Sequence, residues 1–157
     1  MVLNPKNPCN DCTVIALKYP HLTMKGAGMS NRRIRVLHVD DVEEEFILVC
    51  ALLSDVKGID FQLQWAPDIR TAMQTIQDKD FDVCIVDCYM GQDNGLDFIR
   101  DAMAQGIEIP FILMSGQKNP AITRQAMELG VRQFVDKNDI TTSILLKAIQ
   151  KAAEKQE

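Results

Sequence analysis

The sequence predicts an α/β fold in which five parallel strands, each followed by a helix, are wound in both directions about one sheet. Three observations predict it. Short β-branched runs alternate with longer segments of helical period, and the runs start 27, 20, 29 and 23 residues apart from Ile34 onward, the length of one strand and its crossover helix. Two of the runs, Val83-Cys84-Ile85-Val86 and Phe111-Ile112-Leu113-Met114, are apolar without alternation, as strands covered on both faces are. The 157 residues, 46% hydrophobic and 25% charged, suffice for one well-filled core with about 30 residues to spare.

The elements follow in order. The first strand is expected over Ile34–Val39 and the first helix over Val42–Leu53, where Ile47, Cys50, Ala51 and Ser54 repeat at intervals of three and four. Asp41-Val42-Glu43-Glu44 reads as a capping box opening that helix. The second strand, Phe61–Ala66, alternates Gln62 and Gln64 with Phe61, Leu63 and Trp65, which marks it as an edge. A helix over Ile69–Gln77 leads to the third strand, Phe81–Val86, and the next helix, Leu96–Ala104, stops at Gly106. The fourth strand is Pro110–Met114, its helix Ala121–Leu129 ends at Gly130, and the fifth strand is Gln133–Val135. The last helix, Ser143–Ala153, shows its face at Ile144, Ala148 and Ala152.

Residues 1–32 lie outside this rhythm. Rich in Asn, Pro and Gly, they read as a poorly ordered extension before a single domain over 33–155. Lys25-Gly26-Ala27 can be encoded by a purine-rich stretch resembling a ribosome-binding site, so Met29 is a candidate natural start. The extension carries four basic residues against Asp11, net +3, which leaves −8 of the overall −5 on the rest. An acidic domain lacks the footprint for neutralising phosphates, so no direct nucleic-acid partner is expected. No apolar run reaches the roughly 18 residues of a membrane span, and Thr13–Leu17 is too short for a secretory core segment. Five cysteines, an odd number with Cys84 in an apolar run, fit a reducing cytoplasm. Cys9-Asn10-Asp11-Cys12 has no second pair with which to complete a zinc site.

In an open parallel sheet, ligands bind outside the carboxyl ends of the strands. There the first strand offers Asp40-Asp41, the third Asp87, the fourth Ser115-Gly116 and the fifth Asp136-Lys137. Taken singly, Asp41, Ser115 and Lys137 have ordinary structural explanations, whereas Asp87 ends a buried strand with no immediate helix to cap. Together, three carboxylates within ~5 Å would repel by roughly 3 kcal/mol per pair at an effective dielectric of about 20. Such a cluster calls for a cation or shifted pKa values. Oxygen donors with no histidine nearby favour a hard ion, Mg²⁺ over Ca²⁺ or Zn²⁺. Mg²⁺ beside a carboxylate, an ammonium and a hydroxyl is equipment for phosphoryl transfer.

These residues resemble the receiver domain of two-component response regulators, the CheY-like family, over roughly residues 33–155. The resemblance rests on Arg35-Val36-Leu37-His38-Val39-Asp40-Asp41, on Cys84-Ile85-Val86-Asp87-Cys88-Tyr89-Met90 with Gly95-Leu96, on Leu113-Met114-Ser115-Gly116, and on Phe134-Val135-Asp136-Lys137. It implies a flavodoxin-like sheet of order 2-1-3-4-5, with Asp87 phosphorylated by a histidine kinase or a histidine phosphotransfer protein. It further implies Mg²⁺ held directly by Asp41, Asp87 and the Tyr89 backbone carbonyl, and through water by Asp40. Ser115 would bond the phosphoryl group, Lys137 would pair with it, and Phe134 would turn inward as the switch aromatic. The chain departs from the family pattern at Asn138, where a Pro and a cis peptide after the Lys are usual, and at Gly91, where Pro is usual in a loop already rich in Gly, Asn and Asp. Tyr89, two residues after the acceptor, is expected to shield the acyl phosphate from water.

Two other classes compete. A haloacid-dehalogenase-like phosphatase needs a second Asp two residues after the nucleophile, where Tyr89 stands. An adaptor that works without phosphorylation usually lacks the acceptor or an acid, and all are present. The 20 residues after Lys137 supply the last helix and no effector. The expectation is therefore a signalling domain, not a turnover enzyme: either a stand-alone receiver or part of a larger protein. It would act on a downstream protein target through the last strand and its flanking helices, a face that is also a candidate homodimer contact.

Overall fold

A computed structural model describes residues 32–154. The expectations concerning residues 1–31, namely the poorly ordered extension, the Met29 start and the Cys9/Cys12 pair, lie outside the described residues. The elements run β1 (Arg33–Val39), α1 (Glu43–Ser54), β2 (Asp60–Ala66), α2 (Ile69–Asp78), β3 (Val83–Asp87), β4 (Tyr89–Met90), β5 (Asp93–Asn94), α3 (Gly95–Ala104), β6 (Phe111–Ser115), α4 (Pro120–Leu129), β7 (Gln133–Asp136), a 3-10 turn (Lys137–Asp139) and α5 (Thr142–Ala153). β1, β2, β3, β6 and β7 pair in parallel in the order β2-β1-β3-β6-β7. With β4 and β5 set aside as a small hairpin, this is the expected 2-1-3-4-5.

The faces of the sheet account for the apolar runs. One face packs α1 and α5 against Ile34, Val36, Leu63, Val83, Ile85, Ile112 and Met114; the other packs α2, α3 and α4 against Leu37, Val39, Cys84, Val86, Phe111 and Leu113. Every residue of β3 and β6 is buried, so neither face has room for an alternating polar side chain. β2 is an edge as its glutamines suggest, although Gln64 is only 8% exposed while Gln62 is open to solvent.

Helix starts are mostly capped by short polar residues: Asp68 for α2, Asn94 for α3, Asn119 followed by Pro120 for α4, and Thr141 for α5. The capping box expected at Asp41 is corrected by α1, whose N-cap is Val42, without a side-chain bond. The Val42 N–H donates to Asp40 Oδ1 at 3.0 Å, and Asp41 lies between them, outside the helix and its cap. Gly130, at φ 104°, closes α4 in the left-handed conformation that favours glycine. At the opposite end of α5, the Arg132 guanidinium donates to the Ala152 and Glu154 carbonyls (3.4 and 2.9 Å), so the start of β7 holds the end of the last helix.

The loop after Asp87 is more ordered than its composition suggests. Tyr89 pairs with Asn94 and Met90 with Asp93 in an antiparallel hairpin, turned at Gly91 with φ 59°. Gly95 locks its base. Its N–H donates to the Cys88 carbonyl at 2.9 Å, and a Cβ there would meet the Asp87 carbonyl oxygen at 2.2 Å and Val86 Cγ1 at 2.9 Å.

Candidate functional site

The sheet order brings the carboxyl ends of β1 and β3 side by side, with Val39 paired to Val86. Asp40 follows β1 and Asp87 ends β3, so backbone register, rather than any loop, sets the distance between them. Asp40, Asp41 and Asp87 each offer an oxygen, all within 4.8 Å of one another. Asp40 is fully buried, Asp87 is 6% exposed, and Asp41 is open to solvent at the mouth.

Lys137, carried in from the end of β7, bridges them. Its ammonium lies 3.2 Å from Asp40 Oδ2, 3.2 Å from Asp87 Oδ1 and 3.9 Å from Glu45 Oε1. Burial alone would lower the pKa of this lysine, but the charges of Asp40, Asp87 and Glu45 together outweigh it and hold the pKa above the ordinary value. Asp87 moves the other way from a typical carboxylate. Burial first, and then the charge of Asp40, push its pKa up to about 6, against the pull of Lys137 and of the Tyr89 backbone N–H.

Asp40 is fixed on every side. Its backbone N–H donates to the Ala66 carbonyl (3.1 Å), and the Asp40 carbonyl accepts from the Trp65 indole (2.7 Å). Trp65 in turn stacks on Phe46 at 6.0 Å between ring centroids. The expectation of no histidine nearby is corrected here: His38 Nε2 lies 3.6 Å from Asp40 Oδ2. Residues two apart on a strand share a face, so His38 was placed there by β alternation inside a run that reads as apolar. It is wholly buried, and burial, followed by the charge of Lys137, lowers its pKa to about 3, so the ring is neutral.

Ser115 and Phe134 occupy the rim in a different way. Ser115, 2% exposed at the end of β6, is engaged by its own loop: its hydroxyl donates to the Gln117 carbonyl and accepts from the Gln117 N–H, both at 3.1 Å. Phe134 is half-buried on β7, packed against the cluster that includes Leu113 and Phe111. Asn138 ties the two loops together, donating from its amide to the Gly116 carbonyl at 2.8 Å, and the peptide after Lys137 is trans like every other among the described residues. Cys88 is buried, and burial followed by the Asp87 charge pushes its thiol pKa up, which makes it a poor redox sensor. The Tyr89 ring is 39% exposed beside the site.

The donor set is three carboxylates, all hard oxygen, with one at the solvent edge; this fits a small dication that keeps part of its water shell. A cavity of about 530 Å³ lies at the other end of the strands, lined by Arg33, Asp82, Glu108, Pro110 and Arg132 among others. It contains none of these carboxylates.

Comparison with known proteins finds a family and a fold for most of the described residues. The family model described as "Response regulator receiver domain" matches residues 36–150. The protein-glutamate methylesterase/protein-glutamine glutaminase of Treponema denticola is 28% identical over 124 residues, 78% of this chain and 33% of that protein. Response regulator SaeR of Staphylococcus aureus is 26% identical over 102 residues, 65% of this chain and 43% of its own length. The chain thus spans less than half the length of these curated relatives. Among solved structures, the receiver domain of the response regulator NarL from Mycobacterium tuberculosis superposes with a TM-score of 0.70 at 25% identity, covering 80% of this chain and 99% of that one. The chemotaxis protein CheY4 of Vibrio cholerae shares the fold, with a TM-score of 0.68 at 24% identity over 76% of this chain and 98% of that one.

Proposed function

The chain belongs to the response regulator receiver family, and we propose that Asp87 is its phosphoacceptor, charged by a phosphohistidine donor on a sensor kinase or phosphotransfer protein. One observation carries this reading: Asp87 is a nearly buried carboxylate that shares an ammonium at 3.2 Å with a second buried carboxylate and opens toward a third. A carboxylate oxygen of Asp87 attacks phosphorus. As the O–P bond forms, the P–N bond to the donor imidazole breaks, and that nitrogen keeps the electron pair and picks up a proton from solvent. Asp41, Asp87 and the Tyr89 carbonyl would hold Mg²⁺ directly, with Asp40 acting through water. Bound there, the ion supplies neutralisation of the phosphoryl oxygens. Lys137 neutralises the remaining charge from the β7 side. Ser115 joins by exchanging Gln117 for a phosphoryl oxygen, and Phe134 packs inward behind it.

The receiver unit is taken as residues 33–155, preceded by an extension over 1–32. Its output is a protein contact through β7 and the flanking α4 and α5, with a downstream protein or a second copy of the chain, in the cytoplasm. Among the described residues no helix is long and apolar enough to cross a membrane. The greater length of the matched relatives keeps open both a stand-alone receiver and a module of a larger protein. The test is incubation with a small phosphodonor and Mg²⁺. An acid-stable, hydroxylamine-sensitive adduct is expected on the wild type and not on Asp87→Asn; no Mg²⁺-dependent adduct on the wild type would overturn the reading.

A further inference from the structure

His38 is wholly buried, yet neither ring nitrogen has a hydrogen-bond partner among the described residues. A neutral imidazole always carries one N–H donor, and leaving it unbonded in the core is costly, so the position needs a reason. That reason is next to it. Asp40 Oδ2, with no exposure to solvent, lies 3.6 Å from His38 Nε2 and takes its bond from Lys137 at 3.2 Å.

That bond is contested. The same ammonium lies 3.2 Å from Asp87 Oδ1, and a phosphoryl group on Asp87 would bring close to two negative charges to that side. The ammonium is drawn toward them and away from Asp40. Bulk water cannot reach the abandoned Oδ2, and a buried carboxylate oxygen without a donor is penalised. The nearest idle donor is His38, which needs to close from 3.6 Å to an ordinary bond of about 3 Å. Its ring abuts Phe46, with centroids 5.9 Å apart and planes tilted by 42°.

We propose that His38 is a positioning residue that replaces Lys137 as the donor to Asp40 Oδ2 once Asp87 carries a phosphoryl group. The inference deepens the phosphoacceptor reading of Asp87 and rests on it. His38 touches neither the phosphoryl group nor the ion; it keeps the Asp40 carboxylate in place while the lysine is engaged elsewhere.

The test uses the full chain with ¹⁵N-labelled histidine, Mg²⁺ and beryllofluoride as a phosphoryl mimic. The His38 Nε2 signal is expected to be that of a protonated nitrogen throughout, with its proton moving downfield when beryllofluoride is added to the Mg²⁺ form and not with Mg²⁺ alone. Loss of one bond to a charged group predicts beryllofluoride affinity about tenfold weaker in His38→Leu and restored to within about threefold in His38→Gln, whose amide can donate. His38→Leu removes a buried, unbonded polar group, so folding is not at risk. The proposal falls if Nε2 is unprotonated, if its proton does not respond, or if His38→Leu binds the mimic like the wild type. If the wild type itself takes no beryllofluoride, the phosphoacceptor reading fails first and this inference with it.

Discussion

Removing the charge of Asp87 should make the metal-free protein more stable at neutral pH, because the fold holds that carboxylate at a cost. Its native pKa of about 6 stands against an ordinary 3.8, so between these values the native state binds more protons than the unfolded chain. Unfolding free energy therefore falls as pH rises from about 4 to about 6, and stays at its lowered level above that. The full shift of about two units corresponds to about 3 kcal/mol at 1.36 kcal/mol per unit, and screening at the open side of the pocket reduces this to about 2. Asp87→Asn keeps the acceptor for the Tyr89 N–H but carries no charge to desolvate. In urea melts without divalent ions, the variant should exceed the wild type by about 2 kcal/mol at pH 7.5, and the difference should shrink toward zero near pH 4 as the wild-type carboxyl is protonated. Mg²⁺ should close the gap at pH 7.5 by stabilising only the wild type. A variant that is no more stable than the wild type at pH 7.5 without metal would refute the account of a strained acidic pocket.

Three further outcomes follow from the geometry. Gly95→Ala places a Cβ 2.2 Å from the Asp87 carbonyl, an overlap with backbone that cannot be relieved by a side-chain rotation. A loss of about 3 kcal/mol in urea melts is expected, together with weakened Mg²⁺ binding followed by the fluorescence of Trp65, the sole tryptophan. Asn138→Ala cuts the bond to the Gly116 carbonyl and should cost about 1 kcal/mol while raising amide exchange in both loops; unchanged exchange around Gly116 would count against the tie. Tyr89→Ala should shorten the lifetime of the acyl phosphate on Asp87 if the half-exposed ring shields it, and a lifetime equal to wild type would remove Tyr89 from that role.

The sheet was legible because burial on both faces leaves a visible mark: Val83–Val86 and Phe111–Met114 have no polar alternation, and both strands are buried throughout. The acids were legible because they stand at the carboxyl ends of strands, Asp87 after Val83–Val86 and Asp40-Asp41 after the first strand. Asp41 matches a capping box, but α1 takes Val42 as its N-cap, one residue later, and begins without a side-chain cap. His38 escaped notice because its neighbours Leu37 and Val39 make the run look apolar, although its spacing from Asp40 puts both side chains on one face. The hairpin of Tyr89–Met90 with Asp93–Asn94 is too short to leave a pattern; its determinant is the steric contact of Gly95 with Asp87, which belongs to the tertiary structure.

The grip of Arg132 on the last carbonyls of α5 gives the domain a mechanical joint. Arg132 stands two residues before Phe134 and five before Lys137 on the same short segment, so β7 has the lysine of the acidic rim at one end and the hold on α5 at the other. A small slide of that strand would be felt at the end of the final helix, on the pole of the molecule opposite the carboxylates.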